Sequence, residues 1–206
     1  MGKVRTVLGE VDAKLIGAAM IHEHVLFDIV SPSATGDRNA RIELQDRWQI
    51  DNRSNENPAN AHQKDPEVAT AELKAFATDG GSLVVDQSVI GLARDPTGLA
   101  HASGCSGVHL VAATGTYTAP FLDPVILEMD ETALADLFIK EITEGIGSTI
   151  VRAGLIGEIG CSWPIEPIER RALVAAAIAQ IATGAAISVH PGRHHKACSN
   201  ILDILE

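Results

Sequence analysis

Apolar runs too short to be helices alternate along this chain with longer amphipathic stretches. After "KLIGAAMIHEH" come "SLVVDQS", "GVHLVAATG", "VRAGLIGEIG" and "AAISVH", each of which reads as a strand. Between them, "DPEVATAELKAFATDGG", "DPTGLAHAS", "DETALADLFIKEITEG" and "EPIERRALVAAAIAQIATG" read as helices, and "ACSNILDILE" opens another. Asp65 stands as an N-cap with Pro66 at the first helical position, and Gly80, Gly145 and Gly184 supply stops. Leu134, Leu137, Phe138 and Ile142 fall on one helical face. Strands that are apolar throughout belong in a parallel sheet covered by helices. About five βα units follow one another, at intervals of roughly 25–40 residues, near the size of a βαβ repeat. No strand runs into G-x-G-x-x-G and no Walker A sequence is present, which sets aside a nucleotide-binding doubly wound sheet. The remaining α/β architecture is an incomplete TIM (β/α)8 barrel, about its first five βα units. Functional groups in that fold gather at the C-terminal ends of the strands.

Two segments stand outside this rhythm. "VRTVLGEV" is expected to form a short N-terminal hairpin, and "KLIGAAMIHEH" after it a buried strand. Residues 31–64 are rich in Asn, Ser, Asp and Arg and read as a long loop with a helical turn near Trp48. The 206 residues are expected to make one domain, 1–206.

The strand ends carry the chemistry. The first closes in His22-Glu23-His24, and residues two apart on a strand share a face, about 6–7 Å apart along the chain. The fourth ends in "GLIGEIG", with Glu158 among apolar neighbours, and the fifth in "ISVHPGRHH", with His190 directly after the apolar run. Each has an ordinary reading by itself: a satisfied core histidine, or a carboxylate paired with Arg152 or Arg193. Their joint placement at successive strand ends points to a zinc-type site, because a buried carboxylate needs a cation and imidazoles complete the donor set. His62, His101, His109, His194 and His195 fall at ordinary loop, helix or strand-start positions.

"HEH", "VVDQSVIGLARD", "GVHLVAATGTY", "AGLIGEIGCSWP" and "VHPGR" occur in that order from about Val4 to Glu206 and resemble the phosphotriesterase family of the amidohydrolase superfamily. "GEIGCSWP" with "HPGR" is most similar to its phosphotriesterase-related branch. The resemblance implies a distorted TIM barrel with two divalent metal ions, usually zinc. His22 and His24 would bind one ion and His190 the other. The lysine that bridges the ions in some members is absent, so Glu158 would supply the bridging carboxylate. The metal pair would activate a water toward an amide or ester bond. Among substrates, an N-acyl amino acid or N-acetyltaurine is favoured over lactones and phosphotriesters. Tyr117 is a candidate to line the substrate pocket and Arg193 to hold an anionic group in its planar fork. Cys161 and Trp163 read as packing residues.

The resemblance also implies three further strands, carrying another histidine ligand and a proton-shuttling aspartate, which these residues do not include. The catalytic base is therefore expected beyond Glu206, and the sequence reads as a fragment of a longer enzyme. A metal-binding but inactive half-barrel is the alternative. Open sheet edges would favour self-association into a homo-oligomer.

The resemblance implies a small-molecule substrate as partner, and charge argues against others. The formal net charge is -11, and no basic patch longer than Arg193–Lys196 stands out, which argues against nucleic acid or an anionic membrane. Three cysteines without CxxC spacing, and an N-terminus without a signal-peptide core, fit a reduced cytoplasmic protein.

Overall fold

A computed structural model describes residues 2–53 and 57–206. The chain opens with an antiparallel hairpin of β1 (Lys3–Thr6) and β2 (Gly9–Asp12). There follow β3 (Ala18–Glu23), β4 (Phe27–Asp28), α1 (Arg47–Arg53), β5 (His62–Gln63), α2 (Pro66–Thr78) and β6 (Gly81–Asp86). Next are α3 (Pro96–Ser106), β7 (His109–Val111), β8 (Ala113–Thr114), α4 (Pro124–Leu127) and α5 (Glu131–Thr143). The described chain closes with β9 (Leu155–Gly160), α6 (Pro167–Thr183), β10 (Ile187–His190) and α7 (Ala197–Leu205).

β6 pairs in parallel with β3 and β7, and β9 pairs in parallel with β8 and β10. Only Ala112 separates β7 from β8, so the stretch read as one strand serves both sheets. The result is five neighbouring parallel strands in chain order, each crossover made by a helix. This is the α/β barrel arrangement expected from the alternation.

The helices form where their ends are chemically marked. The Asp65 carboxylate accepts the Glu67 N–H at 2.9 Å to open α2, and Gly184, at φ +75°, closes α6. The face of α5 that buries Leu134, Phe138 and Ile142 lies against the sheet and α6, whose Ala172, Ala175, Ala176 and Ala179 permit close approach. Each fully buried aliphatic or Phe side chain contributes about 1.5–3 kcal/mol. Arg94, in the loop after β6, forks onto Glu141 of α5 at 2.5 and 2.8 Å, and Thr114 of β8 donates to the same carboxylate at 2.5 Å. This nearly buried pair joins the two strand sets.

The N-terminal hairpin is tied to the rest of the chain by remote backbone bonds. Val7 N–H donates to Leu110 O at 2.8 Å, and Arg5 reaches Ile142 O at 2.8 Å.

One expectation is corrected. "KLIGAAMIHEH" does form a strand, but not a buried one: residues 18–22 are exposed, Ile21 to 74%. The apolar run suggested burial on both faces, yet among the described residues β3 has a strand neighbour only in β6. Residues 31–64, read as a long loop with a helical turn near Trp48, include that helical segment; residues 54–56 lie outside the described residues. β4 and β5 bracket them as an antiparallel pair, and α1 carries Trp48. No helix among the described residues is long and apolar enough to cross a membrane.

Candidate metal centre

Laid flat, strands about 4.8 Å apart would hold β3 and β9 roughly 14 Å from each other. Instead His22 Nε2 lies 3.0 Å from Glu158 Oε2, and His24 Nε2 lies 3.2 Å from Oε1. The array is therefore curled, and its C-terminal strand ends converge on one point.

Glu158 is the centre of that point. It is 1% exposed, between Ile156 and Ile159, which are fully buried. Gly157 makes this approach feasible: it adopts φ +120°, and a Cβ there would stand 2.1 Å from Ser188 O. From the neighbouring strand, His190 Nδ1 meets Glu158 Oε2 at 3.0 Å. One carboxylate thus receives three imidazoles. Burial pushes its pKa up, but the His190 and His24 bonds and charges outweigh this and hold it down at about 2.

The histidines are placed by polar contacts at the end of β6. His24 Nδ1 meets Ser88 Oγ at 3.1 Å, which leaves Nε2 for Glu158. Asp86, fully buried, accepts Val25 N–H at 2.6 Å and Ser88 N–H at 2.8 Å. Gln87 takes Glu23 O with its backbone N–H and Ile21 O with its side chain, both at 2.8 Å. Burial works against charge on His24, yet Glu158, with help from Asp86 and Glu23, raises its pKa overall. Burial likewise raises that of Asp86 despite its hydrogen bonds.

His22, His24 and Glu158 each offer a ligand atom, and these atoms lie within 4.8 Å of one another. Two imidazole nitrogens and a carboxylate oxygen in that space suit a divalent transition metal. His190 touches the same carboxylate without falling inside the three-residue cluster. The donors of that cluster fit a divalent metal ion.

The other sequence candidates flank this group. Tyr117, after β8, is buried with its ring 5.4 Å from that of His190, and burial together with Glu158 pushes its pKa up to about 12. Arg193, after β10, is exposed and has no carboxylate partner among the described residues. Cys161 is buried, which raises its thiol to about 12, whereas Trp163 is 37% exposed. Asp86, Gln87 and Ser88 were not singled out by the sequence reading. They lie within the motif "VVDQSVIGLARD", which by itself gives them no role.

The phosphotriesterase family model matches residues 2–206. A phosphotriesterase-related protein of Nematostella vectensis is 33% identical over 215 residues, covering 100% of this chain and 61% of the relative. The N-acetyltaurine hydrolase of Homo sapiens is 32% identical over 212 residues, with the same coverage of 100% and 61%. Among solved structures, a resiniferatoxin-binding protein from Rhodobacter sphaeroides superposes with a TM-score of 0.91 at 30% identity, covering 99% of this chain and 59% of that one. A lactonase from Listeria monocytogenes shares the fold, with a TM-score of 0.77 at 19% identity over 99% of this chain and 61% of its own. The chain spans about three-fifths of the length of the curated relatives it matches.

Proposed function

This chain belongs to the phosphotriesterase family, and from that premise we propose that it serves hydrolysis of an amide or ester bond in a small substrate with an anionic end. An N-acyl amino acid or N-acetyltaurine is the leading substrate. The observation that carries this reading is the buried Glu158 carboxylate shared by imidazoles from β3 and β10. The relatives named N-acetyltaurine hydrolase support the substrate class.

His22 and His24 would hold one divalent ion, His190 a second, and Glu158 would bridge them, with zinc as the leading metal. Bound ions supply Lewis acidity that polarises the scissile carbonyl and activates water. The protein's own groups do the rest. Glu158 stays ionised and occupied, so it is a ligand and not a general base. Ser88 fixes the His24 ring through Nδ1, which keeps Nε2 turned to the site. Tyr117 remains a protonated phenol at neutral pH and closes the wall beside His190. Arg193 takes the anionic end of the substrate. None of these residues is assigned as the base that completes proton transfer.

Residues 1–206 are treated as one domain on the strength of their main core, which runs from Val7 to Ile201. A cytoplasmic setting fits three free thiols, Cys105, Cys161 and Cys198.

The test has two parts. Elemental analysis of purified protein should find transition metal, and His22→Ala/His24→Ala should lose at least half of it; equal content in both proteins overturns the metal reading. A panel of N-acyl amides, lactones and a phosphotriester should show preference for anionic amides. Fastest turnover of the phosphotriester or a lactone overturns the substrate assignment.

A further inference from the structure

Beyond His190 the chain sets Arg193, His194, His195 and Lys196 in a row, and none has a carboxylate partner among the described residues. In a chain of net charge -11, two cations flanking two imidazoles are an unusual grouping. Adjacent like charges repel, so their clustering does not serve stability. Their loop is tightly built. His194 N–H donates to Gly192 O at 2.8 Å, and Lys196 N–H to His194 Nδ1 at 3.2 Å. Gly192 lies against the loop after β9 so closely that a Cβ would stand 2.8 Å from Trp163 N.

The two loops meet through their rings. His194 stacks flat on the Trp163 indole, with centroids 4.2 Å apart and planes at 6°, and His195 follows 4.2 Å from His194. Beneath them sits Glu169, 1% exposed. It accepts Ser162 N–H at 2.8 Å, Ser162 Oγ–H at 2.6 Å, Glu166 N–H at 3.0 Å and Ala119 N–H at 3.1 Å. A buried carboxylate with four donors is a rigid anchor. It fixes the loop of Trp163 and also the segment just after Tyr117. The exposed indole is thus held in place on the rim of β9 and β10, the strands that carry Glu158 and His190. A tryptophan that only packs would be covered by apolar side chains; this one is partly open and backed by an imidazole.

We propose that Trp163 and His194 form a specificity subsite with Arg193, a flat wall beside a cationic fork, that reads a sulfonate or carboxylate at the end of the substrate. The wall rests on the amide-hydrolase reading for its place in catalysis, but its binding is measurable without turnover. The sequence reading took Trp163 as packing and His194 as ordinary, because their stacking joins residues from two separate loops.

With Trp48→Phe as background, Trp163 is the single tryptophan and its fluorescence reports on the wall directly. The probes are N-acetyltaurine, N-acetyl-β-alanine and the neutral N-propylacetamide, each titrated with and without chelator while acetate release is followed. Both anionic probes should change Trp163 emission saturably, the neutral one should not, and Arg193→Gln should weaken the response at least tenfold. His194→Ala should raise the KM for anionic amides at least fivefold and change kcat less than twofold. A Trp163 response without acetate release supports the wall and counts against hydrolysis by these residues alone. Acetate release with no Trp163 response, and with KM unchanged in Arg193→Gln and His194→Ala, overturns the wall and leaves the hydrolase reading standing. Equal responses to charged and neutral probes also overturn it.

Discussion

β9 and β3 deliver ligand atoms to the same point by opposite means. β9 is buried along most of its length, and Glu158 sits where Ile156, Ile159 and the close approach of Gly157 leave it no alternative. β3 is exposed over Ala18–His22; at the end of β6 Ser88 holds the His24 ring, while Asp86 and Gln87 hold the backbone at Val25 and Ile21. Packing fixes the carboxylate; hydrogen bonds fix the imidazoles. The difference teaches that one cluster of ligand-type groups can be assembled by packing at its carboxylate and by hydrogen bonding at its imidazoles.

The comparison breaks most severely at the packed strand. Ile159→Ala should cost about 2–5 kcal/mol, read as a lower denaturant midpoint with an unchanged slope. A loss below 1 kcal/mol would mean that β9 is not the rigid partner. Asp86→Ala sharpens the contrast from the other side. Removing a buried acceptor of two backbone N–H groups should cost about 1.5–3 kcal/mol. Hydrogen exchange should then quicken at Val25 and along β3 while the amides of β9 keep their protection. Equal loss in both strands would show that the two regions open as one.

The smallest effect is acid-dependent and lies at the start of the residue 31–64 excursion. Burial raises the Asp28 carboxyl, but Lys64 at 2.8 Å, the Val30 N–H and Arg38 together bring its pKa below the usual value. A carboxylate depressed on folding contributes stability that is complete above its unfolded pKa and is lost as pH falls through its folded pKa. The stability difference between wild type and Asp28→Asn should therefore be up to about 1 kcal/mol at neutral pH and vanish in acid. A difference that grows as pH falls would reverse the assignment.

Much of this was legible in the sequence because it is local. Caps such as Asp65, stops such as Gly184 and the alternation of apolar strands with helices depend on neighbours a few residues away. The ligand candidates at three strand ends were legible too, since a carboxylate in "GLIGEIG" conflicts with its surroundings. What escaped depends on remote partners. Arg94 and Glu141 lie 47 residues apart and Glu169 reaches back to Ala119. In each case a polar residue that looks solvent-exposed in the sequence is buried against a partner from another βα unit. The exposure of β3 escaped for the converse reason: an apolar run does not reveal how many strands flank it.

The N-terminal hairpin has a consequence in time. Its Arg5 completes its contact only with the carbonyl of Ile142, 137 residues further along. At a synthesis rate of 5–20 residues per second this is a delay of roughly 7–27 s. Through that interval the first strands to leave the ribosome lack the partners that later hold them. His22 and His24 wait about as long for Glu158, and longer still for His190. The nascent chain therefore presents imidazoles before it presents the carboxylate that gathers them.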